Sequence, residues 1–124
     1  MNTQSQPHPL RVLAVDDNPQ ALQTVVAFLA VDGHTVETAT SGQEGLQKFQ
    51  AQRFDLVVTN QRMPDMRGDQ LAAAIKQLDE RCPIIMLTAV PPDPKPPDVD
   101  IVLSKPTTLA AFRQAVAQVT HRTP

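Results

Sequence analysis

Tryptophan and tyrosine are absent from this chain, and cysteine occurs once, at position 82. A lone cysteine excludes an internal disulfide and a thiolate metal cage, and Cys82, just before Pro83, reads as a small core residue without a redox role. No apolar run approaches the roughly 20 residues of a membrane-spanning helix. Residues 1–9 hold no apolar stretch of signal-peptide type, so the expected compartment is the cytoplasm. A basic excess is also missing, with Lys plus Arg at 11 against Asp plus Glu at 13 and a formal net charge of −2, which argues against nucleic acid as a partner. A glycine-rich phosphate loop is lacking after the first apolar run, where Asp16-Asp17-Asn18 would repel phosphate. That argues against the rival of a nucleotide- or flavin-binding enzyme on a doubly wound fold. His8, His34 and His121 are scattered among polar neighbours and receive no role. At 124 residues the chain has room for one core and not two.

Five short apolar runs organise what is present. Residues 11–15, 34–38, 56–59, 83–87 and 100–103 read as strands, β-branched or continuously apolar. Between the first two, Asn18 is a helix cap and Pro19 suits the first turn, while Leu22, Val25, Val26 and Leu29 recur at helical spacing and Gly33 ends the helix. Ser41 with Glu44 three residues later is a capping box, opening a helix through Leu46 and Phe49. Leu71, Ala74, Ile75 and Leu78 mark a third helix. Leu109, Phe112, Val116 and Val119 mark the last, capped by Thr107 or Thr108. Strand and helix alternate, which predicts a parallel sheet with helices on both faces. The alternation fails once, because residues 91–97 contain five of the 12 prolines. No α-helix survives that density, and an extended, polyproline-like connection is expected there. Pro91-x-x-Pro94 and Pro94-x-x-Pro97 have the spacing of a ligand for proline-binding domains, although a stiff connector is the commoner use. Residues 1–10 read as a disordered tail, 11–120 as the domain and 121–124 as a C-terminal tail.

The centre of the pattern is Asp55-Leu56-Val57-Val58-Thr59-Asn60-Gln61-Arg62-Met63-Pro64-Asp65-Met66-Arg67-Gly68. A residue at the end of such a buried strand stands at the carboxyl edge of the sheet, where alternating folds place their ligand chemistry. This stretch resembles the core of the response-regulator receiver domain, the phosphate-accepting module of two-component signalling. The resemblance covers residues 11–119 and implies a doubly wound α/β fold with a five-stranded parallel sheet, of flavodoxin-like receiver type. It also implies that the proline-rich loop stands in place of the family's fourth helix.

In the family the position of Asn60 is an aspartate that accepts a phosphoryl group from a histidine kinase. An amide cannot form that acyl phosphate. Asp16 and Asp17 match the acidic pair that holds magnesium with the acceptor. With Asn60 in the third place one negative charge is lost, leaving a weakened magnesium site with Asp17 as its metal ligand. Arg62 matches a position whose backbone carbonyl is a metal ligand. Its guanidinium is either solvated or folded in to pair with Asp16 or Asp17. Thr88 matches the hydroxyl residue that contacts phosphate, and Lys105 matches the family's lysine, followed by Pro106, whose peptide bond is often cis there. Val102 takes the place of the switching aromatic. Together these residues are either remnants of a phosphate switch or a polar cluster that pins loops, with a Lys–Asp ion pair satisfied without phosphate. The resulting expectation is a pseudo-receiver: a non-enzymatic, phosphorylation-independent interaction module. Its partner would be a histidine kinase, another regulator or an output domain, with no cofactor required and no membrane. The rival expectation is a working phosphoacceptor receiver in which Asn60 is an engineered or deamidation-prone replacement of aspartate.

Overall fold

A computed structural model describes residues 9–120. Expectations for residues 1–8, the larger part of the disordered-tail reading, and for 121–124 lie outside the described residues. The elements run β1 (Arg11–Val15), α1 (Pro19–Ala30), β2 (Thr35–Ala39), α2 (Gly42–Ala51), β3 (Leu56–Thr59), α3 (Gly68–Leu78), β4 (Ile84–Thr88), β5 (Ile101–Ser104) and α4 (Leu109–Thr120). All strand pairs are parallel, in the order β2-β1-β3-β4-β5. This is the flavodoxin-like α/β arrangement. The chain proceeds outward in one direction to β2 and in the other from β3, so the crevice where the direction reverses lies beyond Val15 and Thr59, which are paired in register.

Side-chain alternation divides the interior in two. Val12 and Ala14 of β1, Leu56 and Val58 of β3, and Ile85 and Leu87 of β4 pack with Leu22, Val25 and Leu29 of α1 and Phe112 and Val116 of α4. Leu13, Val15, Val57, Ile84 and Met86 point the other way, against Phe49 of α2 and Leu71, Ala72 and Ile75 of α3. Every residue of β3 and β4 is buried, as strands covered on both faces must be.

The start of β1 is where the sequence places it, whereas β2, β4 and β5 each begin and end one residue later than expected. At β2, His34 belongs to the turn: its amide donates to the Leu29 carbonyl, and its Nδ1 accepts from the Leu10 amide at 2.9 Å. At β5, Asp100 acts as a clasp, its carboxylate accepting the Ile84 amide at 2.8 Å. Leu78 is the last residue of α3 and 52% exposed, so the apolar face of that helix ends at Ile75 and includes Ala72 instead. The connection from β4 to β5 holds no helix. It is bent where an extended, polyproline-like connection was expected, with a cis Asp93–Pro94 bond and a turn at 97–98. Val99 is its buried anchor, and the Lys95 ammonium donates to the Val99 carbonyl at 2.6 Å. Among the described residues no helix is long and apolar enough to cross a membrane.

Candidate functional site

Four strand ends build one polar edge. Asp16 follows β1, its amide donating to the Ala39 carbonyl of β2. Only 5% of Asp16 is exposed, and both carboxylate oxygens are engaged: Oδ1 accepts the Asn18 amide at 2.9 Å and Oδ2 accepts the Lys105 ammonium at 2.8 Å. Lys105 is delivered by β5, and its amide donates to the Thr88 carbonyl at the end of β4. A cis peptide joins it to Pro106. Thr88 is the last residue of β4, not the residue after it, and is 2% exposed. Asp17 points to solvent beside this cluster, and Asn18 turns away to cap α1, its side-chain oxygen accepting the amides of Gln20 and Ala21.

Asn60 stands where β3 ends. Its amide donates to the Val15 carbonyl, and its side-chain nitrogen turns back to donate to the Arg62 carbonyl at 2.7 Å. The loop that follows leaves the strand by an unusually close approach, with the Gly68 amide donating to the Gln61 carbonyl at 2.8 Å. A Cβ on Gly68 would lie 2.1 Å from the Asn60 carbonyl oxygen, so only glycine fits. Asp65, in the middle of that loop, reaches across to the start of α2, where it accepts the Gln43 amide at 2.8 Å and the Gly42 amide at 3.1 Å. The Gln43 amide above all, helped by that of Gly42, holds its carboxyl below the usual range against the opposing effect of burial. Gly42 has no room for a side chain, because a Cβ there would meet Met66 Cβ at 2.9 Å.

Asp16, Thr88 and Lys105 are thus brought together, and Asn60 and Asp17 flank them. Val102 lies apart, half-buried against the α2–α3 side of the sheet. Arg62 is exposed and makes no ion pair with either aspartate, so of its two expected placements the solvated one is realised. Asp65 is the participant that sequence reasoning missed, since its partners lie 22 and 23 residues upstream and leave no local signature. Cys82 is buried, and burial, reinforced by Asp79, pushes its thiol up to about 12.

Magnesium requires several charged oxygens directed at one point. Here both Asp16 oxygens and the Arg62 carbonyl already have partners, and Asn60 presents its amide nitrogen to the loop. Among the described residues no group of three acidic, histidine or cysteine side chains is disposed to hold a metal. Of the expected acidic donors, Asp17 is the one left open to solvent.

Residues 12–117 match the family model described as Response regulator receiver domain. Transcriptional regulatory protein GlrR of Escherichia coli is 41% identical over 81 residues, a stretch covering 65% of this chain and 18% of that protein. The chain therefore spans less than a fifth of that relative. Among solved structures, chemotaxis protein CheY4 of Vibrio cholerae superposes with a TM-score of 0.83 at 31% identity, covering 90% of this chain and 99% of that one. Response regulator protein TrrA of Thermotoga maritima, solved in complex with Mg2+ and BeF, gives 0.82 at 28% identity over 88% of this chain and 97% of its own.

Proposed function

The chain belongs to the response regulator receiver domain family, modules of two-component signalling, and from that premise we propose that it is a pseudo-receiver working without phosphorylation. One observation carries this reading. At the acceptor position stands Asn60, whose amide nitrogen is bonded to the Arg62 carbonyl at 2.7 Å. The nucleophilic carboxylate is replaced, and the replacement's amide donates to the carbonyl that would serve a metal. Meanwhile Lys105 neutralises Asp16 without any phosphate.

The proposed domain is residues 11–120, with residues 89–100 in place of the family's fourth helix. Such a module presents one fixed surface to a protein partner in the cytoplasm: a histidine kinase, another regulator or an output domain. Nucleic acid and membrane are not among its proposed partners, and no catalysis is assigned to it. Magnesium binding is weak in this reading, with Asp17 the one carboxylate open to it. A second reading is favoured by the placement of Asp16, Thr88 and Lys105 at one edge, which retains a phosphate pocket around the substitution. In that case the chain is a phosphoacceptor receiver altered at one position.

The test is an amide NMR spectrum in Mg2+, recorded with and without added beryllofluoride, a phosphoryl mimic. The proposed reading expects the Asn60, Thr88 and Lys105 signals to stay in place. Saturable shifts at those three residues would contradict it.

A further inference from the structure

Between Asp17 and Asp32 the chain has no charged residue, and all of α1 lies inside that interval. The solvent side of a surface helix ordinarily carries lysine, glutamate or arginine. Here it shows Gln20, Gln23, Thr24, Ala27 and Ala30, and runs on into Val31, which is 55% exposed. A groove flanks each side of this ridge. One, of about 400 Å³, is lined by Leu22, Val26 and Thr38 among others. The second, of about 350 Å³, lies between Ala21 and the Pro106–Thr107 turn.

We propose that this face is a self-association surface, on which α1 of one chain seats antiparallel against α1 of a second copy. A two-fold contact brings a patch against itself, so a patch with charge of one sign repels its own image. The α1 patch has no formal charge and avoids that cost. By the same fact it offers nothing to a strongly charged partner, which favours a second copy over an acidic or basic protein. Ala27 and Ala30 on the crest let two helices approach to about 8 Å, the close end of helix packing. Because Gln23 and Ala27 border the 400 Å³ groove as well as forming the ridge, each copy's ridge can enter the other's groove. Antiparallel docking sets the positive end of each helix beside the negative end of its mate. The Asp32 carboxylate at the rim is already satisfied by Arg113 at 2.7 Å. A helix of this length is about 18 Å long, so the contact is small and the dimer reversible. A contact of that length stays below the roughly 1,200 Å² at which standard-size interfaces begin, which places it among weak, transient complexes. The proposal does not depend on whether Asn60 silences phosphorylation.

Sedimentation equilibrium on the full chain from about 20 µM to about 1 mM, the range in which weak, reversible dimers dissociate, tests it. The weight-average mass should rise toward twice the 13.5 kDa of one chain. Ala27→Arg places two cations near the two-fold axis and should weaken association at least tenfold, while Leu78→Arg, on a remote exposed position, should behave as the parent. Gln23→Arg repeats the test at a second site, and circular dichroism establishes that each variant is folded. A parent that stays monomeric to the top of the range overturns the proposal, and so does a folded Ala27→Arg and Gln23→Arg pair that dimerises as the parent does.

Discussion

Lys105 and Asp16 lie 89 residues apart in sequence and meet at 2.8 Å, with the aspartate side chain 7% exposed and the lysine 25%. Removing the lysine leaves a nearly buried carboxylate with only the Asn18 amide for company. Lys105→Met is therefore expected to cost about 1–3 kcal/mol of stability in urea unfolding, and adding Asp16→Asn should recover part of it. Gly68 is constrained in a different way. A methyl group there overlaps the Asn60 carbonyl, and the backbone of the loop must move to admit it. Gly68→Ala should lower stability by about 2 kcal/mol or more in the same measurement, whereas Gly33, with φ +77° and open space around it, should show only the strain of a left-handed residue.

At the scale of elements, the junction between the β3–α3 loop and α2 depends on Asp65. Its carboxyl is held below the ordinary range by the Gln43 and Gly42 amides, Glu44 is likewise held down by the Thr40 amide, and Asp32 by the Arg113 guanidinium. Carboxyls depressed in the folded state bind protons more readily when unfolded. Their stabilisation is complete above the unfolded values and fades as pH falls through the folded ones. The melting temperature should hold steady above about pH 5 and fall below about pH 4. Asp65→Asn should lower the plateau and make the acid fall shallower. Legibility divides along the same line. The Asn18 and Ser41 caps were readable because their partners lie within three residues, as was the burial of β3 and β4 from their unbroken apolar runs. Asp65 was not, since a cap supplied from a loop 22 residues away has no local pattern. Leu78 kept helical spacing, yet the helix ends there and the face it was assigned to has already run out.

For the whole molecule, the order β2-β1-β3-β4-β5 brings Asp16, Asn60, Thr88 and Lys105 to one edge; strand alternation placed Asn60 at that edge, and the resemblance to the receiver family supplied the other three. Which way the Asn60 amide turns was beyond sequence, because it depends on the path of the loop to Arg62. The core on the α2–α3 side of the sheet encloses the chain's single thiol, Cys82, 3% exposed with its pKa pushed up to about 12. Labelling by a thiol reagent at neutral pH should follow global unfolding and be negligible in the native protein, and fast native-state labelling would mean the α3–β4 junction opens locally. The central claim is that the acceptor edge is complete without phosphate. Intact mass before and after incubation with a small phosphodonor and Mg2+, on this chain and on Asn60→Asp side by side, tests it most directly. The account predicts no phosphoryl adduct on the unaltered chain, and a stable adduct on that chain would contradict it.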